Sequence, residues 1–293
     1  MKLKDIYAQG KTVITFEVFP PKTDEGVANL MAEMARLKKF NPAFISVTYG
    51  AGGSNQGRSL QVTRELMEKL GLPVMPHFTC VGSSREYIQD FIQVLADLKI
   101  ENILALRGDP PRDKTNFDPG KTVFKYANEL VEFLKQNSSL DIGVAGYPEG
   151  HQENKQDLDR DFANLQKKMN AGASLIVSQM FFDNEKFYAF AKKARANGMN
   201  QPIIPGILPI TNLDSIEKMI ELSGAEVPKK LLNDLQSAKD EPEKVKAIGI
   251  EHAVQQIKDL LAFGVPGIHF YTLNKSEVAE KVLGRIIPKA DRN

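Results

Sequence analysis

A (β/α)8 barrel is the fold class that this 293-residue chain predicts, and three observations carry the prediction. Eight short runs rich in Val, Ile, Leu and Phe recur along the chain, longer amphipathic stretches separate them, and most runs end C-terminally in a side chain able to bind or react. Strands joined by long crossovers pair in parallel, and the crossovers are usually helices. In such a barrel the C-terminal ends of the strands surround the active site.

The strands are expected over residues 12–19, 44–49, 74–80, 102–108, 142–148, 175–182, 202–209 and 267–274. The first carries Glu17 and is stopped by Pro20-Pro21, which lack the amide hydrogens a ladder needs. The second delivers Thr48 and Tyr49 to the mouth, the third His77 and Thr79, the fourth Arg107 and Asp109, and the fifth Tyr147 and His151. Gln179 ends the sixth, and Tyr271 and Asn274 end the eighth. Helices are expected over 24–40, 55–70, 84–99, 123–136, 157–171, 184–197, 212–222 and 276–287, with Asp24 and Asn212 as N-caps. Gly71, Gly172 and Gly198 stand where helices turn back toward the next strand. The last strand-to-strand interval is nearly double the others; a short amphipathic stretch over 228–238, a polar break over 239–244 and a long helix ending near Phe263 read as an insertion in one domain spanning 1–293.

Composition narrows the function. Lys and Arg number 38 against 37 acidic residues, a net charge of +1, so no global field favours nucleic acid or an anionic membrane. A small-molecule substrate is expected. Cys80, the single cysteine, excludes an internal disulfide framework, fits a cytoplasmic setting and reads as a small buried side chain rather than a nucleophile. No apolar run approaches the roughly 20 residues that span a bilayer. The four histidines show no metal-ligand spacing, so no metal is expected; His77 and His151, at strand exits, are the better candidates for ligand contacts, while His252 belongs to the long helix.

Glu17, set in an otherwise apolar strand, should have a raised pKa and could act as a general acid, or could be a strand-end carboxylate satisfied by backbone or an arginine. In Leu106-Arg107-Gly108-Asp109-Pro110-Pro111, Gly108 permits an unusual backbone angle and the prolines stiffen the loop, holding Arg107 and Asp109 over the mouth as functional groups or as a structural ion pair. Tyr49-Gly50-Ala51-Gly52-Gly53-Ser54 would let backbone approach a ligand, though its spacing is not a dinucleotide fingerprint. Over 157–171, Phe162, Leu165 and Met169 would face the barrel, with Asp161, Asn164 and Lys168 in a stripe beside them that is either a solvated helix side or a cofactor edge.

Phe16-Glu17-Val18-Phe19-Pro20-Pro21-Lys22, Ser46-Val47-Thr48-Tyr49-Gly50-Ala51-Gly52-Gly53, Leu106-Arg107-Gly108-Asp109, Tyr147-Pro148-Glu149-Gly150-His151, Pro205-Gly206-Ile207-Leu208-Pro209 and Phe270-Tyr271-Thr272-Leu273-Asn274 follow one another along nearly the whole chain. In these motifs the sequence closely resembles methylenetetrahydrofolate reductase in its short bacterial form. The resemblance implies a (β/α)8 flavoprotein that carries FAD without a Rossmann domain and lacks the regulatory domain of eukaryotic members. It implies reduction of 5,10-methylenetetrahydrofolate to 5-methyltetrahydrofolate with NADH or NADPH as donor, in the one-carbon metabolism that feeds methionine synthesis, by a homodimer or homotetramer. Glu17 matches the family's acid, and Asp109 the carboxylate that meets both pterin and flavin. Gln179 matches a folate-binding amide, and Lys275 stands where an arginine meets the folate tail. For FAD the matching positions are Thr48, Tyr49, Ala51, His77, Arg107, Gly108, Asp109, Ala127, Tyr147, His151, Asp161, Asn164, Lys167 and Lys168, with Thr48 also near the nicotinamide. Lys167 replaces an arginine of some members, and Ser215 a folate-contacting glutamine. The alternative reading is a non-redox barrel that binds a pterin or carries a methyl group.

Overall fold

Side chains along a strand alternate between two environments, and here both are apolar for most of the strand length. In the computed structural model, which describes residues 1–49, 56–109, 122–154 and 157–288, eight parallel strands close into a barrel in sequence order. They are β1 (Val13–Val18), β2 (Phe44–Val47), β3 (Val74–Thr79), β4 (Asn102–Leu106), β5 (Asp141–Gly146), β6 (Leu175–Met180), β7 (Ile203–Ile207) and β8 (Gly267–Tyr271). Closure is made by β8 pairing with β1, Glu17 standing opposite Tyr271. Ile14, Phe16 and Val18 of β1 face outward into the large core shared with the helices, whereas Val13 points inward with Phe44, Met75, Leu104, Leu175 and Ile204. The lower half of the interior is therefore solid.

The helices are α1 (Leu3–Tyr7), α2 (Asp24–Leu37), α3 (Gln56–Leu70), α4 (Arg85–Asp97), α5 (Ala127–Asn137), α6 (Leu158–Asn170), α7 (Asn184–Ala196), α8 (Leu213–Ser223), α9 (Lys229–Ser237), α10 (Pro242–Phe263) and α11 (Glu277–Leu283). Among the described residues no helix is long and apolar enough to cross a membrane. The short α1 was not expected, because five residues are too few to show a helical period. It plugs the floor of the barrel with Leu3 and Ile6, and Asn102 pins it by accepting from Leu3 N at 3.0 Å and donating to Met1 O at 2.9 Å.

Three sequence expectations need correction. The strands stop one to three residues short of their expected ends, since backbone that turns outward over the mouth leaves the ladder. The cap of α2 is Thr23, whose side chain accepts from Gly26 N, and Asp24 lies in the first turn instead. The third concerns the inserted part of the last interval. Ile250, Val254, Ile257 and Leu260 of α10 join the main core, so α10 is the crossover that packs on the barrel. The inserted elements are α8 and α9, whose Ile216, Leu231 and Leu235 form a satellite cluster with Phe182, Ile210 and Val245.

α10 comes close to the exit of β7 at Gly249. A methyl group there would lie 1.9 Å from Ile210 O. Gly249→Ala should therefore overpack this contact and destabilise the fold by about 1–3 kcal/mol. That corresponds to a melting temperature lower by roughly 2–5 °C for a chain of this size, measurable by calorimetry; an unchanged Tm would show that the helix can move aside at no cost.

Candidate active site at the barrel mouth

Above the apolar floor the inward positions become polar. Thr15, Ser46 and His269 are fully buried, His77 is nearly so, and together they surround the carboxylate of Glu17. His77 Nε2 and His269 Nε2 each lie 3.4 Å from Glu17 Oε2. Each imidazole is fixed in turn: Ser46 Oγ bonds His77 Nε2, and Thr15 Oγ1 meets His269 Nδ1 at 2.8 Å. The Thr15 hydroxyl also lies 3.3 Å from Ile268 O, so its single proton can go to that carbonyl or to His269 Nδ1. Burial pushes the Glu17 carboxyl upward, but the hydrogen bonds and positive charge of His269 and His77 outweigh it and hold its pKa at about 2. The expected raised value is thus reversed in this state of the site. His269 was not singled out from sequence, although its position two residues before Tyr271, between the outward Ile268 and Phe270, is the signal that places it inside.

Across the mouth, β6 carries a bulge between Val177 and Met180. A bulge breaks the ladder and redirects side chains. Here the Ser178 hydroxyl accepts from Gly206 N at 2.9 Å, and Ser178 O accepts from Tyr271 OH at 2.9 Å. Gly206 is required, since a Cβ would lie 2.4 Å from Ser178 O and 2.6 Å from the Tyr271 ring. Gln179, on the bulge, is half-buried, with its Oε1 accepting from Met180 N at 2.9 Å.

A second group of expected residues lines a cavity of about 430 Å³ between the exits of β4 and β5 and the helices α5 to α7. Arg107, Ala127, Tyr147, His151, Asp161, Asn164 and Lys168 all border it. The stripe on α6 is therefore a cavity wall, with Leu165 and Met169 buried beside it. Asp161 organises the wall, its Oδ2 accepting from His151 N at 2.6 Å and its Oδ1 from Asn154 Nδ2 at 2.9 Å. Lys168 Nζ donates to Ala145 O at 2.5 Å, and burial lowers its pKa to about 8 against the opposing pull of Asp161. Lys125, Arg160 and Lys193 add cationic groups that sequence reasoning missed, because they come from three separate segments.

The other expected residues are placed differently. Gly108 has a φ of 77°, and a Cβ there would meet Thr79 at 2.6 Å, so glycine is required to bring Arg107 and Asp109 over the rim. Asp109 is exposed, 3.7 Å from Arg107. Thr48 is half-buried at the exit of β2, whereas the Tyr49 ring packs on Phe78 and Phe91 and bonds Tyr87 OH at 2.8 Å, leaving only its backbone toward the mouth. Lys167 is turned to solvent, Lys275 is exposed just beyond β8, and Ala51 lies outside the described residues. The Cys80 side chain is buried as expected, its thiol pushed up to about 12 by desolvation.

A closed (β/α)8 barrel, a histidine-flanked carboxylate inside its mouth and a cation-lined cavity beside it define the class of protein: a (β/α)8 barrel with a polar, charged mouth. The chain belongs to the methylenetetrahydrofolate reductase family, whose model matches residues 2–286. It is 36% identical to 5,10-methylenetetrahydrofolate reductase of Pectobacterium carotovorum, over 92% of this chain and 89% of that protein, and 34% identical to the Escherichia coli enzyme over the same shares. It is 37% identical to methylenetetrahydrofolate reductase (NADH) 1 of Arabidopsis thaliana over 96% of this chain and 49% of that protein, so it spans about half the length of its plant relatives. A Clostridium thermocellum protein solved with two copies of 5-methyltetrahydrofolate shares the fold, with a TM-score of 0.66 at 16% identity, covering 96% of this chain and 95% of that one.

The depressed pKa of Glu17 links the site to stability. A carboxyl at about 2 in the folded chain and near 4.5 when free contributes stability above about pH 4.5 and loses it progressively as pH falls toward 2. Melting curves of the parent and Glu17→Gln proteins between pH 6 and 2.5 should therefore converge, or cross, on the acid side. A difference in Tm that stays constant over that range would mean the two imidazoles do not hold the carboxylate ionised.

Proposed function

We propose that this chain reduces 5,10-methylenetetrahydrofolate to 5-methyltetrahydrofolate, with FAD in the β4–β5–α6 cavity and NADH or NADPH as donor. The observation that carries the proposal is the pairing of a proton-handling centre, Glu17 between His77 and His269, with a neighbouring cavity whose side chains suit FAD. The donor set of the cavity fits that group: Lys168 and Arg107 for the pyrophosphate, and Asp161 and Asn164 for ribose hydroxyls. Among the described residues the hydrogen-bond acceptor of the half-buried Lys168 is a backbone carbonyl, and an anionic phosphate is a stronger partner. When bound, FAD supplies a two-electron carrier between the nicotinamide and the folate.

The remaining roles belong to the chain itself. Opening the bridged ring of the substrate requires a proton on the departing aryl amine and leaves a cationic iminium. The hydrogen bonds and charge of the two histidines hold Glu17 ionised, so Glu17 must take up that proton before it can pass it on. A substrate that covers the mouth removes water from Glu17, which adds to the upward push of burial and favours the proton on the carboxyl, from where it reaches the amine. Asp109 offers negative charge to the iminium, Gln179 both donor and acceptor to the pterin edge, and Lys275 a cation to the glutamate tail, without the two-pronged geometry of arginine. Thr48 and the neighbouring backbone complete the wall facing the nicotinamide.

The proposal is tested by the spectrum of the purified protein and by its two half-reactions under anaerobic conditions. A flavin absorption band bleached by a nicotinamide donor and restored by methylenetetrahydrofolate is the expected result. Folate binding by a protein that retains no FAD would favour the non-redox reading instead. Glu17→Gln should slow the folate half by about 10²–10⁴-fold, far more than the nicotinamide half. Equal slowing of the two would remove Glu17 from the acid role.

Saturating FAD at a hundred times its Kd should raise stability by about 2.7 kcal/mol. Lys168→Ala should diminish this gain more than it lowers the apo Tm, since burial already disfavours the ammonium. An equal drop in the apo and FAD-saturated melting temperatures would make Lys168 structural.

A further inference from the structure

One turn at the mouth has no part in the chemistry above. After β8 the chain passes through Leu273 and Asn274, with φ of 48° and 61°. Two consecutive non-glycine residues occupy this left-handed region only where their surroundings hold them there. The holding groups all lie on the exit of β1. Thr272 Oγ1 donates to Glu17 O at 2.7 Å and accepts from Asn274 N at 3.1 Å. The Asn274 side chain accepts from Phe19 N at 2.9 Å and donates to Phe19 O at 2.7 Å. One amide thus satisfies both backbone groups of Phe19, and Pro20-Pro21 stiffen the chain immediately after it.

The side chain carried by this fixed backbone is left in water. Phe19 is 46% exposed, and it follows Glu17 by two residues, which places both on the same face of the extended chain. Lys275, exposed, follows Asn274 directly. A single exposed phenylalanine is ordinary. A strained turn that immobilises that residue, at the exit of the strand bearing the acid, calls for a ligand.

We propose that Phe19 is a specificity-determining platform that stacks on the aryl ring of the substrate, and that Asn274 is the positioning residue that fixes it. The inference rests on the reductase reading and deepens it. The amine that Glu17 protonates is bonded directly to the aryl ring, so the ring must lie within its own breadth of Glu17. Phe19 is the next side chain on that face, and Lys275 stands beyond it, where the carboxylates attached through the benzoyl group end. Offset or edge-on packing of two aromatic rings in this position contributes affinity without touching the pterin.

The test uses FAD-loaded protein and two ligands, 5-methyltetrahydrofolate and a 6-methyltetrahydropterin lacking the aryl-glutamate part. Phe19→Ala should weaken the full folate about tenfold and leave the pterin fragment within twofold, while Phe19→Tyr restores folate binding. Asn274→Ala should reproduce the Phe19→Ala pattern, with Asn274→Asp intermediate because a carboxylate can accept from Phe19 N but cannot donate to Phe19 O. In turnover, KM for the folate should rise more than kcat falls. Flavin content and Tm report whether each variant has folded. Equal losses for both ligands, or no loss for either, would overturn the platform; a full effect of Phe19→Ala with none from Asn274→Ala would overturn the positioning role. Failure of the parent protein to bind folate at all would instead sink the reductase reading.

Discussion

A carboxylate inside a barrel is the constraint around which the upper half of this molecule is arranged. Glu17 projects from β1 toward an axis otherwise filled by Val13, Phe44, Met75 and Leu104, and a charge there must be compensated or neutralised. Two imidazoles compensate it, and each is held by a hydroxyl on the inward face of a strand, Thr15 of β1 or Ser46 of β2. The arrangement works only because β8 closes against β1 in the register that sets Thr15 opposite His269 and Glu17 opposite Tyr271. A slip of β8 by one residue would send His269 and Tyr271 to the helical side.

The second demand on the mouth is close approach. Gly108 tucks against Thr79, and Gly206 admits both the Ser178 carbonyl and the Tyr271 ring. The bulge in β6 would leave Gly206 N without a ladder partner, and Ser178 supplies one from its own side chain. Tyr271, whose phenol is kept protonated by burial and by the nearby Glu17 charge, donates across the same gap. These contacts stiffen the rim between β6 and β8 while the cavity beyond β4 and β5 stays open. The division matches the proposed chemistry: a rigid, dry centre where a proton moves, and a wider polar recess where a large anionic cofactor enters.

The barrel, its strand order and the strand-end positions of Glu17, Arg107, Asp109, Tyr147, His151 and Gln179 were all legible, because short apolar runs and amphipathic crossovers alternate eight times along the chain. So was the polar stripe of α6, as a pattern. Its meaning was not: a stripe beside a packed face looks the same whether it meets solvent or a cavity, and only the placement of Tyr147, Arg107 and α7 around it decides. The role of α10 was misjudged for a related reason, since sequence order does not say which of three helices between two strands packs on the sheet.

What the sequence determined by itself is therefore local and periodic: which segments are strands and crossovers, which side chains lie near the strand exits, and which glycines and prolines shape those exits. What tertiary structure decided is the electrostatics. An acid in an apolar strand should resist ionisation, and that inference is sound for Glu17 taken alone. It fails because His77 and His269 come from strands 60 and 252 residues away in the chain, and their approach to one oxygen at 3.4 Å outweighs the cost of burial. Charge interactions depend on distances in space, which the order of residues along the chain does not contain.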